Sequence, residues 1–190
     1  SDSDLGRVGI YSAKGNFLKH FEGDFKRPTG IALSLDGFIY VVDTWEHVIY
    51  KYNFEGKRLG SFGRKGDAPG EFNYATHIAV DDNGYIYVSD SLNFRVQIFT
   101  PSGELLNTFG LIGDSFGMFD KIKGIALDTE GHIYIVDSAK DMIQIYDKEG
   151  RLLLFFGHQG SFYGDFFLPT GIFIDRKNRV FVSDSFNMRV

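Results

Sequence analysis

Asp43, Asp90, Asp137 and Asp184 stand 47 residues apart, each followed by Thr or Ser, and His47, His77 and His158 lie in the segments around them. Carboxylates at a fixed interval are what acid–base chemistry or a calcium site requires, and neutral imidazole nitrogens are what a transition metal binds. The local spacing argues against both. No His-x-x-x-His pair occurs, and the Asp81-Asp82-Asn83-Gly84 turn lacks the further oxygens of a calcium loop. An Asp followed by a hydroxyl residue at a strand end is suited to accepting backbone N–H bonds, so the aspartates are read as structural. Arg7, Arg95 and Arg189 each follow such an Asp by five residues and are read as pairing or stacking between blades. The three histidines form a site only if the fold makes them converge. His20 and His132 are assigned to solvated surface. The glycine-rich run GRKGDAPGEF opens a strand rather than a helix and is followed by no Gly-Lys-Ser/Thr, so it is not a phosphate loop.

Composition excludes further classes. The chain has 190 residues and no cysteine, which removes disulfides, thiolate nucleophiles and Cys-ligated zinc or iron–sulfur clusters. Its formal charge of −5 offers no general attraction for nucleic acid or anionic lipid. No apolar run approaches the ~20 residues of a membrane-spanning helix. With 20 Phe and 10 Tyr against one Trp, the chain favours the half-buried faces of sheets. The compartment stays open, with an exported setting, periplasmic or extracellular, slightly ahead. No cofactor and no metal is expected.

The elements that position these residues come from internal repetition. The division is 1–41, 42–88, 89–135, 136–182 and the opening of a further unit at 183–190, all within a single propeller region. The first unit is shortened in its linker, EGDFKRPTG. Within a unit, four short apolar runs alternate with turns such as SLDG, DDNG, NFEG and PSG, the pattern of an antiparallel meander. The first run (IAL, IAV, IAL, IFI) is apolar on both faces and is placed innermost; the third and fourth alternate. Phe25, Phe72, Phe119 and Phe166 are expected to plug each linker onto the edge of its blade.

The recurring P-x-G-I-A-x-D-x-x-G-x-I-Y-V-x-D, seen in PTGIALSLDGFIYVVD and PTGIFIDRKNRVFVSD, followed by RVQIF and F-G-x-x-G-x-x-x-G-x-F, resembles the NHL repeat over essentially the whole chain. That resemblance implies an all-β fold, a β-propeller of four-stranded antiparallel blades, commonly six-bladed and used as a platform for protein, RNA or small-ligand binding. Six blades at this period need about 280 residues. The chain is therefore read as a partial propeller, the expectation being part of a larger chain, with a four-bladed closure as the alternative in which 183–190 competes with 1–8 for one edge. Departures from the pattern are His77 in a Gly slot, Ala75 and Ile122 in Pro slots, and Val48 and Met142 in Arg slots.

Linkers and second-to-third-strand turns share one face of such a fold, and loops on a rigid scaffold carry function. The residues there that depart from the repeat, Trp45, His47, Tyr74, His77, Phe94, Lys123, Lys140 and His158, are the binding candidates. Burial against a neighbouring blade is the competing role for Trp45. The expected function is a non-catalytic scaffold that binds a protein or peptide on the loop face. One alternative is a metal-assisted lyase or hydrolase at the central channel. RNA binding is the other, and requires Arg27, Arg64, Lys65, Lys121 and Lys123 to gather locally.

Overall fold

Alternating β-branched and aromatic residues bounded by Asp/Asn-Gly turns make short antiparallel strands, and a computed structural model describing residues 1–190 contains sixteen of them. Three sheets are complete blades: β3–β6 (Pro28–Leu33, Ile39–Asp43, Val48–Tyr52, Arg58–Phe62), β7–β10 (Ala75–Val80, Ile86–Asp90, Arg95–Phe99, Leu105–Phe109) and β11–β14 (Ile122–Leu127, Ile133–Asp137, Met142–Tyr146, Leu152–Phe156). Each is a simple meander. They are flanked by an outer pair, β1–β2 (Arg7–Tyr11, Phe17–Glu22), and an inner pair, β15–β16 (Pro169–Ile174, Val180–Asp184). These two pairs remain separate sheets, and the bridges Asp2–Arg7 and Asp184–Arg189 open the same slot at the two ends of the chain.

The second strand of each complete blade is almost wholly buried, as in IYVVD and IYVSD, because apolar side chains on both its faces are covered by neighbouring blades. The core is accordingly a series of layers between blades. Val42, Ile49, Phe72, Ile86, Val88 and Phe99 fill the first full seam, and Val96, Phe119, Ile122, Ile125, Ile133 and Tyr146 fill the next. Gly103 (φ 90°) locks one of these layers: a Cβ there would come within 2.8 Å of the Phe62 ring on the preceding outer strand. The linker phenylalanines behave as plugs. Phe25, Phe72 and Phe119 are buried, whereas Phe166, whose blade lacks its outer pair, is only partly covered.

At the inner strands the blades meet backbone to backbone. A Cβ on Gly30 would lie 2.7 Å from the Thr76 carbonyl, which explains glycine in this slot. Hydroxyls stitch successive blades across the same line: Ser3 Oγ donates to Pro28 O (2.5 Å), Thr44 Oγ1 to Ala75 O (2.7 Å) and Ser91 Oγ to Ile122 O (2.8 Å). No helix is long and apolar enough to cross a membrane.

Candidate functional site on the loop face

Linkers and second-to-third-strand turns do lie together. The amide of Thr44 donates to Arg27 O, Leu92 to Asn73 O, Ser138 to Lys121 O and Phe186 to Phe167 O. The repeated aspartate organises each junction from within. Buried Asp43 accepts from the amides of Lys26, Arg27, Trp45 and Glu46, using both carboxylate oxygens. Asp90 accepts from Asn73 N, Asn93 Nδ2, Arg95 Nε and Gln97 Nε2. Burial raises the Asp90 pKa above the ordinary carboxylate value, with these bonds opposing it. Such an aspartate is committed to backbone and side-chain donors of its own junction, and no group of three or more His, Cys, Asp or Glu is arranged to hold a metal ion.

Four of the eight binding candidates carry structural duties. His47 adopts φ 58°, and its Nδ1 accepts from the amide of Tyr74 at 3.2 Å. Burial, then the charge of Lys65, lowers its pKa. Phe94, also left-handed at φ 53°, packs against the second of the two seams described above. Lys140 Nζ donates to Ser115 O and Met118 O at 3.0 and 3.1 Å. These carbonyls are equivalent to Ala68 O and Glu71 O, which Arg95 holds in the preceding blade. Lys140 therefore stands in for the arginine that Met142 displaces. His158 Nε2 pairs with Asp165 at 2.9 Å across its linker, in the slot where Arg64 pairs with Glu71 at 2.7 Å.

The other four form the free part of the face. Trp45 is 67% exposed, so it is not packed into the neighbouring blade. It sits between Thr44, which bonds Ala75 O, and His47, which bonds Tyr74 N, and so lies at the junction with the next linker. Tyr74 (φ 62°) accepts from Arg27 Nη1 at 2.7 Å, with the guanidinium carbon 5.9 Å from its ring. His77, on the inner strand β7, has its pKa lowered to about 4 by burial and then by Lys123. Lys123, partly buried, has its own pKa lowered by burial and by Lys121. The three histidines do not converge: His47 and His158 are each occupied in separate linker junctions. Of the five cations named for RNA, Lys121 and Lys123 adjoin each other and Lys65 adjoins His47, while Arg64 is paired with Glu71.

Two residues escaped the sequence reading. Arg27, in the sequence only a nucleic-acid candidate, braces Tyr74. Ser89 is fully buried and its hydroxyl has no partner; the signal was Val42 and Val136 at the same repeat slot. His132 is not merely solvated, because its Nδ1 meets Asp128 Oδ2 at 2.8 Å. On the opposite face, the inner turns enclose an acidic hollow of about 580 Å3 lined by Asp81, Asp82, Asp128, Glu130 and Asp175. Asp81, Asp128 and Asp175 each accept two amides of their own turn.

Comparison with known proteins agrees with this architecture. No curated protein matches in sequence. Among solved structures, virginiamycin B lyase from Staphylococcus aureus superposes with a TM-score of 0.70 at 11% identity, over 97% of this chain and 58% of that one. A streptogramin B lyase gives 0.69 at 15% identity over 98% and 72%, and a protein of unknown function from Bacteroides caccae 0.66 at 12% over 96% and 62%. This chain thus spans 58 to 72% of the length of these structures, and at such identities the likeness concerns the fold. The NHL repeat family matches residues 72–99, the stretch from the plug Phe72 to the end of the third strand of its blade. Residues 72–99 thus match the NHL repeat, and the chain that carries them folds as a β-propeller of four-stranded antiparallel blades.

Proposed function

We propose that the loop face docks a protein or peptide partner, anchored by Trp45 and Tyr74 with Arg27 and extending along the channel lip to His77 and Lys123. One observation carries this reading: once the structural duties of the face are assigned, its single tryptophan remains 67% exposed beside a tyrosine–arginine pair. Trp, Tyr and Arg are the residue types that dominate interface hot spots. The free cations of this face also contrast with the acidic hollow on the other, which favours one orientation of an incoming acidic segment.

The test is affinity for a partner recovered through the intact face. Trp45→Ala with Tyr74→Ala is expected to weaken it by about 30-fold or more, the scale of a hot spot. The unfolding midpoint should stay where it was. Unaltered affinity removes the anchor from this place. The lyase reading draws on two structural neighbours named as lyases and on His77 at the channel. Stoichiometric metal in the purified protein, measured by elemental analysis, would turn the assignment towards it.

A further inference from the structure

Three departures from the repeat meet on one seam, between the second and third complete blades. His77 occupies the slot of Gly30 and Gly124. Ser89, its cross-strand partner, occupies the slot of Val42 and Val136. Lys123, on the facing inner strand, occupies the slot of Thr29, Thr76 and Thr170. The exchanges fit one another sterically, since a serine in place of valine behind residue 77 makes room for an imidazole where glycine was required. Ser183 also fills the valine slot, but opposite Gly171 and on an exposed edge.

Each departure presents an unpartnered polar atom. The Ser89 hydroxyl is buried without a partner. Lys123, unlike Lys140, meets no carbonyl or carboxylate, although burial lowers its pKa. The third atom is His77 Nε2, and its protonation follows from a chain of hydroxyls. Each hydroxyl has one proton to donate. Ser91 gives its proton to Ile122 O (2.8 Å), so its oxygen accepts from Thr76 (3.0 Å). The Thr76 oxygen must then accept from His77 Nδ1–H (2.9 Å). A neutral His77 is thereby held with Nε2 as a bare acceptor. A pKa of about 4 keeps the ring neutral at physiological pH.

A cation beside a neutral acceptor selects a particular ligand chemistry. We propose that this seam binds a carboxylate flanked by a hydrogen-bond donor, with Lys123 taking the carboxylate and His77 Nε2 accepting from the adjacent N–H or O–H. A peptide C-terminus, whose carboxylate follows its own amide N–H, has this chemistry, and so does a 2-hydroxy acid. The polar wall behind the imidazole is Ser89. The inference rests on the loop face being the docking face, and it names what the channel end of that face recognises.

The experiment is a titration of protein carrying 15N-labelled histidine, followed by NMR, with four probes: N-acetylglycine, lactate, propionate and N-acetylglycine methylamide. In the free protein His77 should show the Nδ1–H tautomer. N-acetylglycine or lactate should shift Nε2 and bind at least about tenfold more tightly than propionate or the amide, which each lack one half of the chemistry. Preference for N-acetylglycine assigns a peptide terminus, and preference for lactate a hydroxy acid. His77→Gly and Lys123→Thr restore the residues of the other blades, so both should fold and both should lose the selective binding. An Nε2–H tautomer, propionate binding as tightly as lactate and N-acetylglycine, or no shift with any probe overturns the proposal. Trp45→Ala with Tyr74→Ala should leave small-acid affinity unchanged. A partner sensitive to those two changes but indifferent to Lys123→Thr would retain the docking face and remove this site.

Discussion

The second and third complete blades are built in the same register 47 residues apart, yet they hold their linkers by different chemistry. In the second, Arg95 binds Asp90 and the carbonyls of Asp67, Ala68 and Glu71, while Arg64 pairs with Glu71. In the third, Met142, Met118 and Leu111 take the places of Arg95, Glu71 and Arg64, and the ammonium of Lys140, with Gln144 Nε2, reaches the linker carbonyls. On the first two strands of each blade the contrast reverses, with His77 and Ser89 in the second blade against Gly124 and Val136 in the third. The comparison teaches that the backbone junction is what the fold demands and that several side-chain sets satisfy it. A departure with no junction duty is therefore the better pointer to binding.

The largest expected effect tests the clasp. Arg95→Ala leaves the buried Asp90 carboxylate short of its cation and should cost about 3 kcal/mol, the scale for breaking a buried pair. Lys140→Ala removes two bonds to carbonyls and should cost about 1 kcal/mol. Urea unfolding of both variants checks the ratio, and equal losses would mean that the two clasps are equivalent.

The channel slot comes next. A Cβ on Gly124 would lie 2.9 Å from Ile172 N and 3.0 Å from Thr170 O, so Gly124→His should destabilise by about 2 kcal/mol through overpacking. Adding Val136→Ser in the same chain should recover part of this loss if the serine is what accommodates the imidazole. No recovery would leave the His77–Ser89 pairing without its steric explanation.

The smallest effect is pH dependence. Because burial lowers the folded-state pKa of His77 from the ordinary 6.5 to about 4, the unfolded chain binds more protons between these values. Stability should therefore fall as pH drops from 6.5 towards 4. His77→Gly should flatten this part of the profile by roughly 1 kcal/mol, since the partly accessible ring is screened by solvent. His47, with its pKa lowered in the same direction, supplies the residual slope. A profile unchanged by His77→Gly would show that the imidazole titrates normally.

The blades were legible because period-2 alternation, Asp/Asn-Gly turns and the repeated phenylalanine are local signals whose spacing survives substitution. The aspartates were legible for the same reason. The duties of Lys140 and His158 were not, because their partners are backbone carbonyls or carboxylates 7 to 25 residues away across a linker. Lys140 left one trace, standing two residues before the arginine slot that Met142 fills. Trp45 was ambiguous in sequence because an aromatic in a turn suits burial and exposure equally, and the choice depends on the neighbouring blade.

Residue order alone specified a meander of four short strands, its turns, the buried aspartate at each junction and the glycine slots of the inner strand, since these depend on hydrogen bonds and side-chain alternation within about one repeat. Stacking of the blades decided which departures were absorbed into junctions and which stayed free. Whether a histidine closes a linker, as at His158, or stands as a bare acceptor beside an unpaired lysine, as at His77, depends on atoms contributed by the next linker or blade.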